Sequence, residues 1–305
     1  MKRFCIYTLF MFVFFIKIHA QQSPHFTQYL YNMNIINPAY AGSKKNLSLS
    51  LFYRKQWIEV EGSPTTATFS GSMPLSKNLG IGLSALSDKI GPVTENNMYT
   101  DISYTLALGE KHRLAFGIKG DITFHRVGLQ DIGQESPFPE DPLFSENTTN
   151  SFMNIGIGSF YYTENYYLAL SIPNMIKNTY LNFDGKNFGS QVQHYFITGG
   201  YVFNMNQNTE LKPSFMIKSA FNVRASIDLS LNARFNKKFE IGASYRLEDS
   251  FAAMVNYTIT PSIRIGYAYD HIISDLKIST SASHEIMLLF DLDFPKKVSR
   301  SQRYF

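Results

Sequence analysis

The chain has 305 residues, with 28 Lys+Arg against 24 Asp+Glu, 44% hydrophobic residues, 15% aromatics and a single cysteine. It is too aromatic and too weakly charged (17%) to be disordered, and long enough for one large domain or two ordinary ones. A net charge of +4 without a long Lys/Arg cluster gives no basic surface for nucleic acid.

Lys2 and Arg3 precede an apolar run from Phe4 to Ile16, followed by Lys17-Ile18-His19-Ala20 and the polar Gln21-Gln22-Ser23-Pro24. A basic start, a short apolar run and a small residue before a polar stretch make residues 1–20 a secretory signal peptide, cleaved after Ala20. The competing reading is a retained membrane helix, for which the run is short. Removing residues 1–20 leaves 25 basic against 24 acidic residues, a net charge of +1, and takes away Cys5. The remainder has no thiol for a disulfide, a metal or a lipid.

Residues 21–45 form a distinct N-terminal segment. Ser23-Pro24 is expected to begin a short helix, with Phe26, Tyr29, Leu30 and Tyr31 on its apolar side, and Asn37-Pro38 to end it. An apolar segment beyond the inner membrane has three fates: a plug in a barrel lumen, a surface for a periplasmic partner, or a mobile leader.

From residue 46 to 294 the chain reads at period two. Val223, Ala225, Ile227, Leu229, Leu231, Ala233 and Phe235 alternate without error with Arg224, Ser226, Asp228, Ser230, Asn232 and Arg234. Fourteen strands follow, near 46–54, 65–73, 78–87, 97–108, 112–125, 150–163, 165–172, 191–203, 209–218, 223–235, 238–247, 250–259, 261–270 and 284–294. Most are long enough to cross a tilted hydrocarbon layer of about 9–11 residues. The connections mostly alternate tight and long, with the long ones at 55–64, 88–96, 126–149, 173–190 and 271–283, which is the rim asymmetry of outer-membrane barrels. The fold class is therefore an all-β transmembrane antiparallel barrel of about fourteen strands, with both strand ends of the chain periplasmic. A periplasmic β-sandwich is the alternative. Residues 295–305 form a basic tail.

Lipid fixes the faces. Arg224, Arg234, Arg246, Arg264 and Lys119, with Asp121, Asp228 and Glu240, are expected to face the lumen, because a cation at mid-depth in lipid costs about 2–4 kcal/mol. Tyr53, Trp57, Tyr161, Tyr162, Tyr166, Tyr167, Phe235, Tyr245 and Phe294 are expected in the interfacial girdles. Gly80 and Gly82 are expected to let a wide sheet bend.

Chemistry-bearing motifs are sparse. His25, His112, His125, His194, His271 and His284 stand at no metal-ligand spacing, there is no phosphate loop, and no nucleophile elbow occurs. The expectation is a non-enzyme without cofactor or metal.

Several stretches resemble the PorP/SprF family of type IX secretion outer-membrane proteins of Bacteroidetes. They are Phe26-Thr27-Gln28-Tyr29, Asn37-Pro38-Ala39-Tyr40-Ala41-Gly42, Tyr53-Arg54-Lys55-Gln56-Trp57, Gly80-Ile81-Gly82-Leu83, Asp88-Lys89-Ile90-Gly91-Pro92, Gly266-Tyr267-Ala268-Tyr269-Asp270 and Ser283-His284-Glu285-Ile286-Met287-Leu288. Ala282 departs from an expected glycine. The resemblance implies a non-enzymatic outer-membrane component of secretion or gliding machinery that helps secrete or retain a surface protein. Its implied partners are type IX secretion components, a secreted surface protein, or a periplasmic lipoprotein or peptidoglycan-binding protein, besides outer-membrane lipid.

The candidate partner-binding or structural residues are Asn37, Pro38, Tyr40, Gly42, Tyr53, Arg54, Trp57, Asp88, Gly91, Pro92, His284 and Glu285. Asn37, Pro38 and Gly42 are expected to shape the approach to strand one, Asp88 to Pro92 a compact outer loop, and Trp57 an interfacial anchor. The acidic third loop, with Asp131, Glu135, Glu140, Asp141 and Glu146, is a candidate external surface. The competing functional readings are a channel for hydrophobic small molecules with an N-terminal plug, and a barrel that only tethers periplasmic machinery.

Overall fold

The computed structural model describes residues 24–130, 147–183, 186–221, 223–278, 280 and 282–293. The expected signal peptide with Cys5, the acidic residues of 131–146, Phe294 and residues 295–305 lie outside the described residues.

Fourteen strands close an antiparallel barrel. They are β1 (Leu47–Lys55), β2 (Thr65–Pro74), β3 (Leu79–Ile90), β4 (Val93–Ala107), β5 (Arg113–Val127), β6 (Thr148–Tyr162), β7 (Tyr166–Ile172), β10 (His194–Tyr201), β12 (Thr209–Ala220), β13 (Val223–Phe235), β14 (Phe239–Arg246), β15 (Ser250–Thr260), β16 (Ile263–Ile272) and β17 (Ala282–Leu292). A two-residue piece, β11 (Phe203–Asn204), continues β10 past Val202, and β8 (Thr179–Phe183) pairs with β9 (Lys186–Ser190) as a separate hairpin in the loop after β7. Closure is made by β1 on β17, from Leu47 opposite Leu292 to Lys55 opposite His284. No helix among the described residues is long and apolar enough to cross a membrane.

The alternation read from the sequence sets the two faces. Along β5, Ala115, Lys119, Asp121, Thr123 and His125 are buried inside, while Phe116, Ile118, Ile122 and Phe124 are exposed on the outer wall. Outward apolar residues recur on every long strand and form the belt that lipid requires. The buried apolar residues sit inside the barrel, many of them from the N-terminal segment.

Several expectations are corrected. The 88–96 loop is a tight turn at Gly91-Pro92, because β3 and β4 run three and four residues further outward than the apolar alternation suggested, and Gly91 takes φ +54° there. Asp88 thus lies in β3, where its carboxylate accepts from the Thr66 hydroxyl at 2.5 Å. Tyr162 and Tyr167 face inward and pack on Phe160 instead of joining the girdle. Tyr161, Tyr166 and Tyr201 do form an outer cluster, with Tyr166 stacked on Tyr201. Arg224 stands exposed at the outer end of β13 and pairs with Glu248, so it needs no lumen.

Candidate functional site: a leader seated in the lumen

Residues 24–46 thread the inside of the barrel. No helix begins at Pro24; a 3-10 turn spans Tyr29–Tyr31, α1 spans Met33–Ile36, and a second 3-10 turn spans Pro38–Tyr40. Asn37 ends α1 and caps that last turn, its side chain accepting from the Ala39 N–H at 2.9 Å, with Pro38 supplying the first residue that needs no donor. Pro38 therefore starts one turn as well as ending another.

The upper end of the segment is held by charge. Arg54 of β1 is buried between Asp270 of β16 and Glu285 of β17, with Nη2 at 2.5 Å from Asp270 and Nη1 at 3.2 Å from Glu285. Glu285 in turn accepts the backbone N–H groups of Thr27 and Gln28, both at 2.9 Å. The Thr27 hydroxyl donates to Asp270 at 2.7 Å and accepts from Arg54 Nη1 at 2.9 Å. Two carboxylates and one guanidinium thus clasp a single threonine, and each carboxylate has a charged partner that offsets the cost of burial.

Further along, the Tyr31 hydroxyl donates to Glu240, its ring faces Lys212 at 4.8 Å, and Asn256 donates to the same Glu240 oxygen at 3.1 Å. Lys119 is fully buried; it pairs with Asp101 at 3.0 Å, lies over the Tyr99 ring and donates to the Asn34 carbonyl at 2.9 Å. The Ser171 and Ser103 hydroxyls donate to the carbonyls of Ile36 and Ala41, each at 2.6 Å.

Wall glycines give the segment its bed. A Cβ at Gly117 would lie 2.3 Å from the Ala39 nitrogen, one at Gly158 2.1 Å from Asn37 Oδ1, and one at Gly80 2.3 Å from the Ala41 carbonyl. These strand glycines admit the leader, its backbone at Gly117 and Gly80 and the Asn37 side chain at Gly158, which replaces bending as the reason for Gly80. Gly42 adds a second constraint, with φ +60° and a Cβ position 2.6 Å from both Gly80 and Met73.

The predicted residues therefore separate into groups. Asn37, Pro38, Tyr40 and Gly42 belong to the leader, with Tyr40 edge-on to Phe160 at 5.4 Å. Arg54 and Glu285 form the clasp. Tyr53 points outward, His284 bonds the Tyr267 hydroxyl on the outer wall, and Trp57 sits in the first loop at φ +47°, its backbone N–H donating to the Ser283 hydroxyl at 3.2 Å. Asp88, Gly91 and Pro92 lie near the outer rim, away from the leader. Asp270, Thr27, Lys119 and Asp101 were not singled out as site residues; Thr27 and Asp270 stand inside quoted motifs, and buried charge on a lumen-facing strand position is the signal that marks the others.

The sequence pattern of the type IX secretion system membrane protein PorP/SprF matches residues 18–290. The chain belongs to the PorP/SprF family. Its membrane is the outer membrane, since the family is one of type IX secretion membrane proteins and the sheet closes into a barrel with a lipid-facing apolar belt. Among solved structures it is similar to the CymD monoaromatic hydrocarbon channel, at 13% identity over 85% of this chain and 91% of that one, with a TM-score of 0.51. A Pseudomonas aeruginosa FadL homologue matches at 13% identity, 85% and 93% coverage and 0.51. Omp33 of Acinetobacter baumannii matches at 11% identity, 82% and 100% coverage and 0.49. The likenesses to CymD and the FadL homologue show the fold. No curated protein matches. Within this PorP/SprF chain, the family-like stretches at 26–29, 37–42, 53–57, 80–83, 266–270 and 283–288 all reach the leader or the strands that hold it.

One leader residue links seating to pH. The His25 Nε2 lies 3.0 Å from Lys218 Nζ, and burial, with Lys218, Arg246, Arg54 and His194 around it, holds its imidazole well below the usual histidine range. A released leader would carry an ordinary histidine of pKa about 6.5. Seating is then at full strength above about pH 6.5 and weakens as pH falls, because the free form takes the proton first. Openings of the purified barrel in a planar bilayer should grow more frequent between pH 7.5 and 5.5, and the trend should flatten in His25→Gln.

Proposed function

We propose that this protein is a non-enzymatic component of the type IX secretion machinery that helps deliver or retain a surface protein, and that it reaches the outer membrane after cleavage of residues 1–20. The observation that supports this reading is the use made of the family-like residues. Most of them, at 26–29, 37–42, 53–57, 80–83, 266–270 and 283–288, belong to the leader or to the strands that hold it, a use that suits a scaffold better than a site of reaction. Its partners are then other secretion components, including a periplasmic lipoprotein or peptidoglycan-binding protein at the tight-turn rim, and the surface protein at the outer rim.

A second reading, a gated channel for hydrophobic small molecules, draws on the same leader acting as a removable plug. Gene deletion separates the two. Under the secretion reading, protease shaving and mass spectrometry of intact cells show one or a few surface proteins missing from the mutant, with uptake of small apolar compounds unchanged. The opposite pattern overturns it in favour of the channel.

A further inference from the structure

The outer rim is uneven in a way that a simple closed barrel does not require. One row of paired residues crosses Lys55, Thr65, Lys89, Thr94, Arg126 and Thr149 on β1 to β6. Strands of a barrel are tilted, so such a row climbs as it passes round the wall. It then breaks. β5 and β6 stay paired out to Val127 and Thr148, whereas β7 stops at Ile172, opposite Ile157. Residues 148–156 of β6 consequently carry a ladder on the β5 side alone, and no strand among the described residues pairs with their other side.

The segment after β7 covers only the lower part of this edge. The Met175 N–H donates to the Ile155 carbonyl at 2.9 Å, and the Asn178 amide to the Met153 carbonyl at 3.3 Å. The chain then turns inward, where Tyr180 stacks on His125 at 4.2 Å and packs on Phe152, on the lumen side of the sheet. Because the carbonyls of Ile155 and Met153 point to the open side, so do the backbone groups of Ser151 and Thr149, which share their parity.

Sheet edges are usually blunted by charge, proline or a bulge. This one has none. Its top reads Thr148-Thr149-Asn150-Ser151-Phe152-Met153, uncharged and without proline, in unbroken register with β5. Ser151 is exposed, as is Met153, at 73%. A row of aligned main-chain donors and acceptors is satisfied by another strand, and side chains of alternate residues then select which strand. The place favours an extracellular partner, since the edge rises at the rim of long loops.

We infer that the outer end of β6 is a strand-addition site, and that its occupant is an extended segment of a secreted surface protein. This rests on the secretion reading above and names the surface through which it acts. The added strand lies antiparallel or parallel to 148–152, with its main chain bonded to Thr149 and Ser151, and the strap at 175–178, whose Asn178 already holds the Met153 carbonyl, marks the lower limit of the site.

The test starts from the surface protein that disappears in the deletion strain, purified and added to the purified barrel. Exchange of the Thr149 and Ser151 amides should slow by about tenfold or more on binding. Ser151→Pro removes one edge donor without touching the β5 ladder, and should weaken binding by about tenfold or more and reproduce the surface defect of the deletion. Ser151→Ala should behave as the wild type, and an unchanged heat-dependent gel shift shows that both barrels fold. Unaltered binding and display in Ser151→Pro, with no protection at 148–152, overturn the inference while leaving the secretion function standing. Loss of no surface protein on deletion overturns both. If instead the wild-type barrel self-associates and Ser151→Pro is monomeric, the occupant is a second copy and the assignment to a secreted protein falls.

Discussion

Replacing Arg54 with alanine should unseat the leader and destabilise the barrel by about 3–5 kcal/mol, the cost of leaving buried charge without its partner. The guanidinium is 2% exposed and stands between two carboxylates that are 3% and 0% exposed. Its removal leaves Asp270 and Glu285 facing each other through Thr27. Lysine is a poor substitute, because one ammonium cannot reproduce the two-pronged contact in which Nη1 and Nη2 serve different acids. Arg54→Lys should fall between wild type and alanine, and Arg54→Met combined with Glu285→Gln should recover part of the loss. The temperature at which the folded band disappears on a denaturing gel, read for all four proteins, checks the ranking. Equal midpoints for wild type and Arg54→Ala would show that the clasp carries no net stability.

The second large effect is steric. Gly117→Val places a branched side chain where the Ala39 nitrogen and the Pro38 carbonyl carbon lie 2.3 and 2.4 Å from the Cβ position. Valine suits a barrel strand, so the wall should still form; the leader, which has no slack against backbone on both sides, should not seat. Lys44 and Lys45 supply the readout. Lys44 is 23% exposed and paired with Asp291 at 3.4 Å. In the variant, a lysine-specific protease should cut at these two residues at least about tenfold faster than in wild type, with cleavage in Gly117→Ala intermediate. Unchanged cleavage would mean that the leader tolerates displacement from β5.

The barrel was legible because lipid and lumen impose opposite demands on successive residues, so that a stretch such as 223–235 can be read without any partner in view. Rim height was not: Lys89 to Asn96 alternate imperfectly because, beyond the membrane, neither face of the strand has to be apolar. The clasp was half legible. Arg54 and Glu285 stood in recognisable motifs, but their union with Asp270 depends on β1 meeting β17 across the whole length of the chain, which local pattern cannot announce. Tyr162 and Tyr167 were misassigned because an aromatic at a strand end suits an interface and a packed lumen equally well, and only the presence of Tyr40 inside decides between them. The strand glycines misled for a related reason: a missing side chain looks the same whether the sheet bends or another chain presses on it.

The clasp also bears on how the molecule is put together. Arg54 comes from the first barrel strand, Asp270 and Glu285 from the last two, and the threonine they share from the leader. The two ends of the sheet are therefore riveted together by a segment that lies inside them. A leader arriving after the cylinder had shut would have to displace water from three charged groups on the inner face of a finished wall. One already lying along the inner face of the sheet would meet Arg54 on one side and draw the final hairpin onto it from the other. Closure of the seam and burial of the leader then become one cooperative event, and the leader acts as the mandrel on which the last strands are folded.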